Sequence, residues 1–134
     1  MIGHRNLLAV TATVTLLLCP LSYGEVPVGN ASFELGDEKP ANWALNRGVG
    51  EWMVEGADGD RAIAVSGNGK QDNAWISDPL PLASNTLYRL QFQARRISGT
   101  SGIPVTGPLF CNRDLSGLGR QWTPYESYFV TPVD

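Results

Sequence analysis

The chain has 134 residues, 13 acidic and 10 basic side chains, a formal net charge of −3, one histidine and two cysteines. That length suits one domain around one core. A mildly acidic chain with dispersed charge carries no footprint for nucleic acid or an anionic membrane.

Residues 1–24 read as an export leader. A polar start with His4 and Arg5 precedes an apolar run from Leu7 to Cys19, and Pro20, Ser22 and Gly24 form a small-residue exit. These are the three regions of a secretory signal peptide, with cleavage expected after Gly24. The apolar run falls short of the ~20 residues that a helix needs to span a bilayer, which weighs against a membrane anchor. Leu18 stands where a lipoprotein signal would place a small residue before Cys19. The expected location is therefore outside the cytoplasm, extracellular or periplasmic.

Without the leader, residues 25–134 keep 9 basic and 13 acidic side chains, a net of −4, with no histidine and one cysteine, Cys111. Such a chain cannot build a Ser-His-Asp or Cys-His nucleophile system or a metal site that uses imidazole. It cannot form an internal disulfide either, although export would permit one. Cys111 is expected to be a small buried hydrophobe.

Along residues 25–134 the hydrophobic period is two rather than 3.6, which predicts strands. A turn cluster at Gly36-Asp37-Glu38-Lys39-Pro40 leads to a strand over Glu51–Glu55, where Trp52 and Val54 alternate with Glu51, Met53 and Glu55. After the turn Gly56-Ala57-Asp58-Gly59-Asp60, Arg61–Ser66 predicts a strand with Ile63 and Val65 toward the core. Gly67-Asn68-Gly69 ends it, and Ala74–Ser77 is a shorter strand followed by Pro79 and Pro81 at a sheet edge. The clearest strand is Tyr88 to Arg95: Tyr88, Leu90, Phe92 and Ala94 alternate with Arg89, Gln91, Gln93 and Arg95. A turn over Ser98–Gly102 and strands at Pro104–Phe110 and Tyr125–Val130 complete the series. Short strands between Gly and Asn/Asp turns predict an all-β fold, an antiparallel β-sandwich.

Four tryptophans and one polar row are the candidate binding groups. Tryptophan presents a flat apolar face with an N–H at its edge, which suits the C–H face and hydroxyl rim of a sugar ring. Trp43 and Trp122 each begin a structured run and are expected to fill the core, whereas Trp52 and Trp75 are candidates for a stacking platform. Arg89, Gln91, Gln93 and Arg95 project from one strand face at two-residue spacing, a row of donors and acceptors suited to hydroxyls. The alternative is an ordinary solvated sheet face.

Asp58-Gly59-Asp60 resembles the start of a calcium loop, but the later ligands of that pattern are missing, so a turn is expected. The carboxylates show no spacing that singles out a glycosidase pair. Asn30-Ala31-Ser32 matches a glycosylation sequon.

Asn30-Ala31-Ser32-Phe33-Glu34 followed by Lys39-Pro40-Ala41-Asn42-Trp43 resembles the opening of the carbohydrate-binding modules of families four and nine, which are galactose-binding-like jelly rolls. Asp60 to Val65, Pro79-Leu80-Pro81-Leu82, Leu87 to Arg95, Trp122-Thr123-Pro124-Tyr125 and Phe129-Val130-Thr131-Pro132 resemble later sections in the same order. The resemblance implies a two-sheet jelly roll that holds sugar on a concave sheet face or at the loop end, as an accessory to a glycoside hydrolase. It also implies a structural calcium, with Glu34 as the matching side chain. Family members continue for two more strands, so a C-terminally incomplete domain over residues 25–134 is expected.

The reading is non-catalytic binding of a polysaccharide or oligosaccharide through Trp52, Trp75, Arg89, Gln91, Gln93 and Arg95, with Glu34 as the metal ligand. Its alternatives are a structural or adhesive extracellular β-sandwich and the N-terminal part of a glycoside hydrolase.

Overall fold

The computed structural model describes residues 6–16, 25–67, 70, 72–100 and 103–133. The expected cleavage point after Gly24, the turn residues Asn68 and Gly69, Ser101 and Gly102 of the next turn, and Asp134 lie outside them. Among the described residues there is no helix, and every strand pairing is antiparallel.

The strands are β1 (Asn6–Leu16), β2 (Glu25–Val26), β3 (Trp43–Arg47), β4 (Val49–Val54), β5 (Arg61–Gly67), β6 (Ala74–Ser77), β7 (Leu87–Ser98), β8 (Val105–Thr106), β9 (Arg113–Asp114) and β10 (Thr123–Val130). The largest sheet runs β10-β7-β1-β5-β4, with β2 beside β1, while β3-β6 and β8-β9 form separate two-stranded sheets.

Period two on β7 decides where the core sits. Tyr88, Leu90, Phe92 and Ala94 are buried, and with Val28, Leu115, Leu118 and Phe129 they form the main apolar cluster. The neighbouring strand supplies aromatic partners on the same face: Phe129 stacks on Tyr88 at 5.6 Å and Tyr125 on Phe92 at 5.7 Å. Such pairs add to the burial term.

Two polar ties hold the chain reversal before β7. The buried Tyr88 hydroxyl accepts the Ala83 N–H at 2.7 Å. The Thr131 hydroxyl donates to the Ala83 carbonyl at 2.6 Å and accepts the Thr86 N–H at 2.9 Å.

The loop between β2 and β3 is built around Asn30. Its side-chain amide donates to the carbonyls of Leu35 at 2.8 Å and Ala41 at 2.9 Å, and its oxygen accepts the Leu35 N–H at 3.0 Å. Both amide hydrogens are committed, so a glycan on this nitrogen is incompatible with the folded loop; the sequon reads as a loop buttress. Phe33 is fully buried with φ +64°, a left-handed conformation that a bulky side chain rarely adopts. Its N–H bonds Asn30 O at 2.9 Å, its carbonyl accepts the Trp52 indole N–H at 2.8 Å, and its ring lies 5.0 Å from that of Trp43.

The apolar segment read as a leader forms the central strand β1, paired with β7 from Leu7 to Leu16 and with β5 from Asn6 to Val10.

The expected strand over Pro104–Phe110 is confined to Val105–Thr106. Gly107 has φ +113°, and Pro108 opens a turn in which its carbonyl accepts the Cys111 N–H at 2.9 Å. Cys111 is exposed on that turn rather than buried as expected, because the turn lifts it off the sheet.

Candidate functional site

Two surfaces on the large sheet carry the candidate residues. The first is the polar face of β7. Register with β10 sets Arg89 opposite Tyr128, Gln91 opposite Glu126 and Gln93 opposite Pro124. Directly paired residues share a face, so Tyr128 and Glu126 stand beside the Arg/Gln row. Tyr128 is half exposed and its hydroxyl donates to Glu126 Oε1 at 3.1 Å.

One end of the row is closed by residues of the turn after β4. Arg95 makes an ion pair with Glu55 Oε2 at 2.9 Å, and the Gln93 amide donates to Asp58 Oδ2. The Arg95 guanidinium also lies over the Trp122 ring, 5.0 Å from its centroid, a cation–π contact. Trp122, expected to fill the core, is half-buried and touches this row instead. The Nε atoms of Arg89 and Arg95 are buried with no acceptor among the described residues, which marks the face as under-bonded.

The second surface is an apolar cleft of about 390 Å³ between the β3-β6 pair, the 105–112 segment and the large sheet. Its walls include Trp43, Ile63, Val65, Trp75, Leu90 and Phe129.

Both expected stacking tryptophans lie away from the Arg/Gln row. Trp52 pairs with Ile63, Ile63 with the Val10 position, and that position with Ala94. Trp52 therefore belongs to the Ala94 face, opposite Gln93. Its indole N–H is engaged by Phe33 O, and the Arg61 guanidinium lies 4.5 Å from its ring centroid. Trp75 donates its indole N–H to the Ala64 carbonyl at 2.9 Å and lines the cleft. Trp43 packs against the main cluster and donates to Gly29 O at 3.0 Å.

The structure thus keeps Arg89, Gln91, Gln93 and Arg95 together and separates them from Trp52 and Trp75. Tyr128 and Trp122 are the aromatics it brings to the row. Sequence parity across β7 and β10 held that signal for Tyr128, but only once the register is known.

Glu34 closes a turn. Its Oε1 accepts the Arg61 N–H at 2.9 Å, and a Cβ on Gly59 would come within 2.4 Å of the same oxygen. Asp58-Gly59-Asp60 is indeed the tip of that turn, tied by the Glu55 N–H to Asp60 O at 2.9 Å. Among the described residues no three His, Cys, Asp or Glu side chains gather in one place.

No protein-family model, curated protein or solved structure matches the chain.

Proposed function

We propose that the chain is a secreted, non-catalytic carbohydrate-binding module, an antiparallel β-sandwich of jelly-roll type that targets an associated glycoside hydrolase or a cell to polysaccharide. The observation that carries this reading is the polar row of β7 with an aromatic at each end. Arg89, Gln91, Gln93 and Arg95 offer amide and guanidinium groups in line, with Tyr128 opposite the first and Trp122 against the last. Asp58 and Glu126 add carboxylate acceptors beside them. A pyranose needs both donors and acceptors at its rim and a flat apolar surface under its C–H face.

The roles divide by position. Gln91 is the central hydrogen-bonding group, Arg89 and Gln93 flank it, and Arg95 is a positioning residue held by Glu55 and Trp122. Tyr128, exposed beside Arg89, is the platform this geometry favours over Trp52 and Trp75. The β3-β6 pair packed over the large sheet, with an apolar cleft between, supports the two-layer architecture.

Tyr128→Ala is expected to weaken oligosaccharide binding about tenfold, since stacking on an exposed ring buries area worth on the order of 1.5–3 kcal/mol. Gln91→Ala is expected to cost about 1 kcal/mol, one neutral hydrogen bond. Isothermal titration with soluble oligosaccharides checks both, alongside circular dichroism to show the fold intact. Unchanged affinity in both variants would remove the site from this face and favour the structural or adhesive reading.

We further propose a structural calcium at Glu34, with Oε2 and neighbouring carbonyls as ligands. Adding calcium should raise the melting temperature of the chain and chelator should reverse the gain. Glu34→Gln should blunt the response. A melting temperature indifferent to calcium would refute it.

A further inference from the structure

We propose that the groove between β5 and β7 is a strand-acceptor site. Residues 6–16 close it in the intact chain. Once residues 1–24 are cut away, it takes an extended segment of another polypeptide with apolar residues at every second position.

The sheet order carries the inference. β5 and β7 have no pairing with each other; β1 lies between them, antiparallel to both. Two neighbouring strand spacings of ~4.8 Å separate them. Removing β1 therefore leaves two edges facing one another, each with a row of main-chain N–H and C=O groups that have lost their partners. β2 loses its pairing as well. The segment that fills this gap is the one whose sequence reads as a removable leader, and the proposal rests on that reading for its biological setting.

The groove also specifies its occupant. Opposite the strand positions 10, 12, 14 and 16 stand Ala94, Phe92, Leu90 and Tyr88, all buried on the core side. Those positions in residues 6–16 are Val10, Ala12, Val14 and Leu16. On the other side, positions 9, 11, 13 and 15 face Arg95, Gln93, Gln91 and Arg89, and the residues there are Ala9, Thr11, Thr13 and Thr15. On that same side β5 carries Ala64, which pairs with position 9 and is buried. The site thus selects a segment of about ten residues, without proline, apolar on one side and small or hydroxyl-bearing on the other, the strand-addition mode of recognition.

The test uses the complete chain with a protease site placed within residues 17–24. After cutting, the released strand is competed with a labelled peptide of residues 6–16 carrying lysines at its ends. A control peptide has the same composition with the alternation scrambled. Hydrogen exchange is followed at Arg61–Gly67 and Leu87–Ser98. The alternating peptide should exchange into the groove and keep those amides protected, while the scrambled peptide should not, whether the stripped chain then stays in solution or precipitates. Equal competition by the two peptides, precipitation with both, or protection that persists with the groove empty would overturn the proposal. A second variant leaves the chain uncut: Val10→Pro, at a position paired with both Ile63 of β5 and Ala94 of β7, should strip protection from β5 and β7 on their groove sides. Unchanged exchange there would count equally against it.

Discussion

Asn30→Asp is expected to lower unfolding stability by about 2–4 kcal/mol, because the substitution deletes both donors of a side chain that ties three points of one loop. Asp keeps the acceptor for the Leu35 N–H but turns a carboxylate oxygen toward the carbonyls of Leu35 and Ala41, which Asn30 reaches at 2.8 and 2.9 Å. Two acceptors are left facing a third. The same loop holds Phe33 at φ +64° against Trp43 and Trp52, so its loosening would release a fully buried ring. Urea unfolding followed by tryptophan fluorescence measures the loss. A midpoint equal to that of the parent chain would show that the loop is held by its aromatic contacts alone.

Tyr88→Ala is expected to cost about 3–5 kcal/mol, the range for removing a large buried aromatic. The ring is the largest of the fully buried side chains and stacks on Phe129. Against the 5–15 kcal/mol of a typical domain that is a substantial fraction. Tyr88→Phe separates the ring from the hydroxyl: it keeps the stack and leaves the Ala83 N–H without its 2.7 Å acceptor, at about 1–3 kcal/mol. The two variants should rank Ala below Phe below the parent in urea midpoint. Parity of Tyr88→Phe with the parent would assign the chain reversal to Thr131 rather than to the tyrosine.

Period two made β7 legible from sequence, and the four residues placed inward, Tyr88, Leu90, Phe92 and Ala94, are all buried. Strands β4, β5, β6 and β10 were legible for the same reason, and the turn at Asp58-Gly59-Asp60 from its composition. Short β3 and β9 were not, because Trp43–Arg47 has no β-branched residue and a two-residue strand carries no period, while β8 was legible only as part of a longer expected strand over Pro104–Phe110. The candidate site was half legible. Alternation within β7 groups Arg89, Gln91, Gln93 and Arg95, but which tryptophan joins them depends on pairing between distant segments. Trp52 alternates correctly with Glu51 and Met53 and still faces away, since its register with Ile63 is a long-range fact. Residues 6–16 show the limit most clearly. The apolar run there predicts an export leader, and its place between β5 and β7 is a long-range pairing that the run itself does not announce.

The contacts of Arg95 with Glu55 and of Gln93 with Asp58 join the turn after β4 to β7 across the two strands that lie between β4 and β7. They form a clasp over the sheet, independent of the ladder hydrogen bonds beneath. Glu55 is largely exposed, at 73% of its side chain, so its ion pair is screened by salt, while the seat of Arg95 on Trp122 persists. Ionic strength thereby tunes one arm of the clasp, and only by the ~0–1 kcal/mol of an exposed pair, since the 55–60 turn is held separately by the Arg61 N–H on Glu34 and the Glu55 N–H on the Asp60 carbonyl.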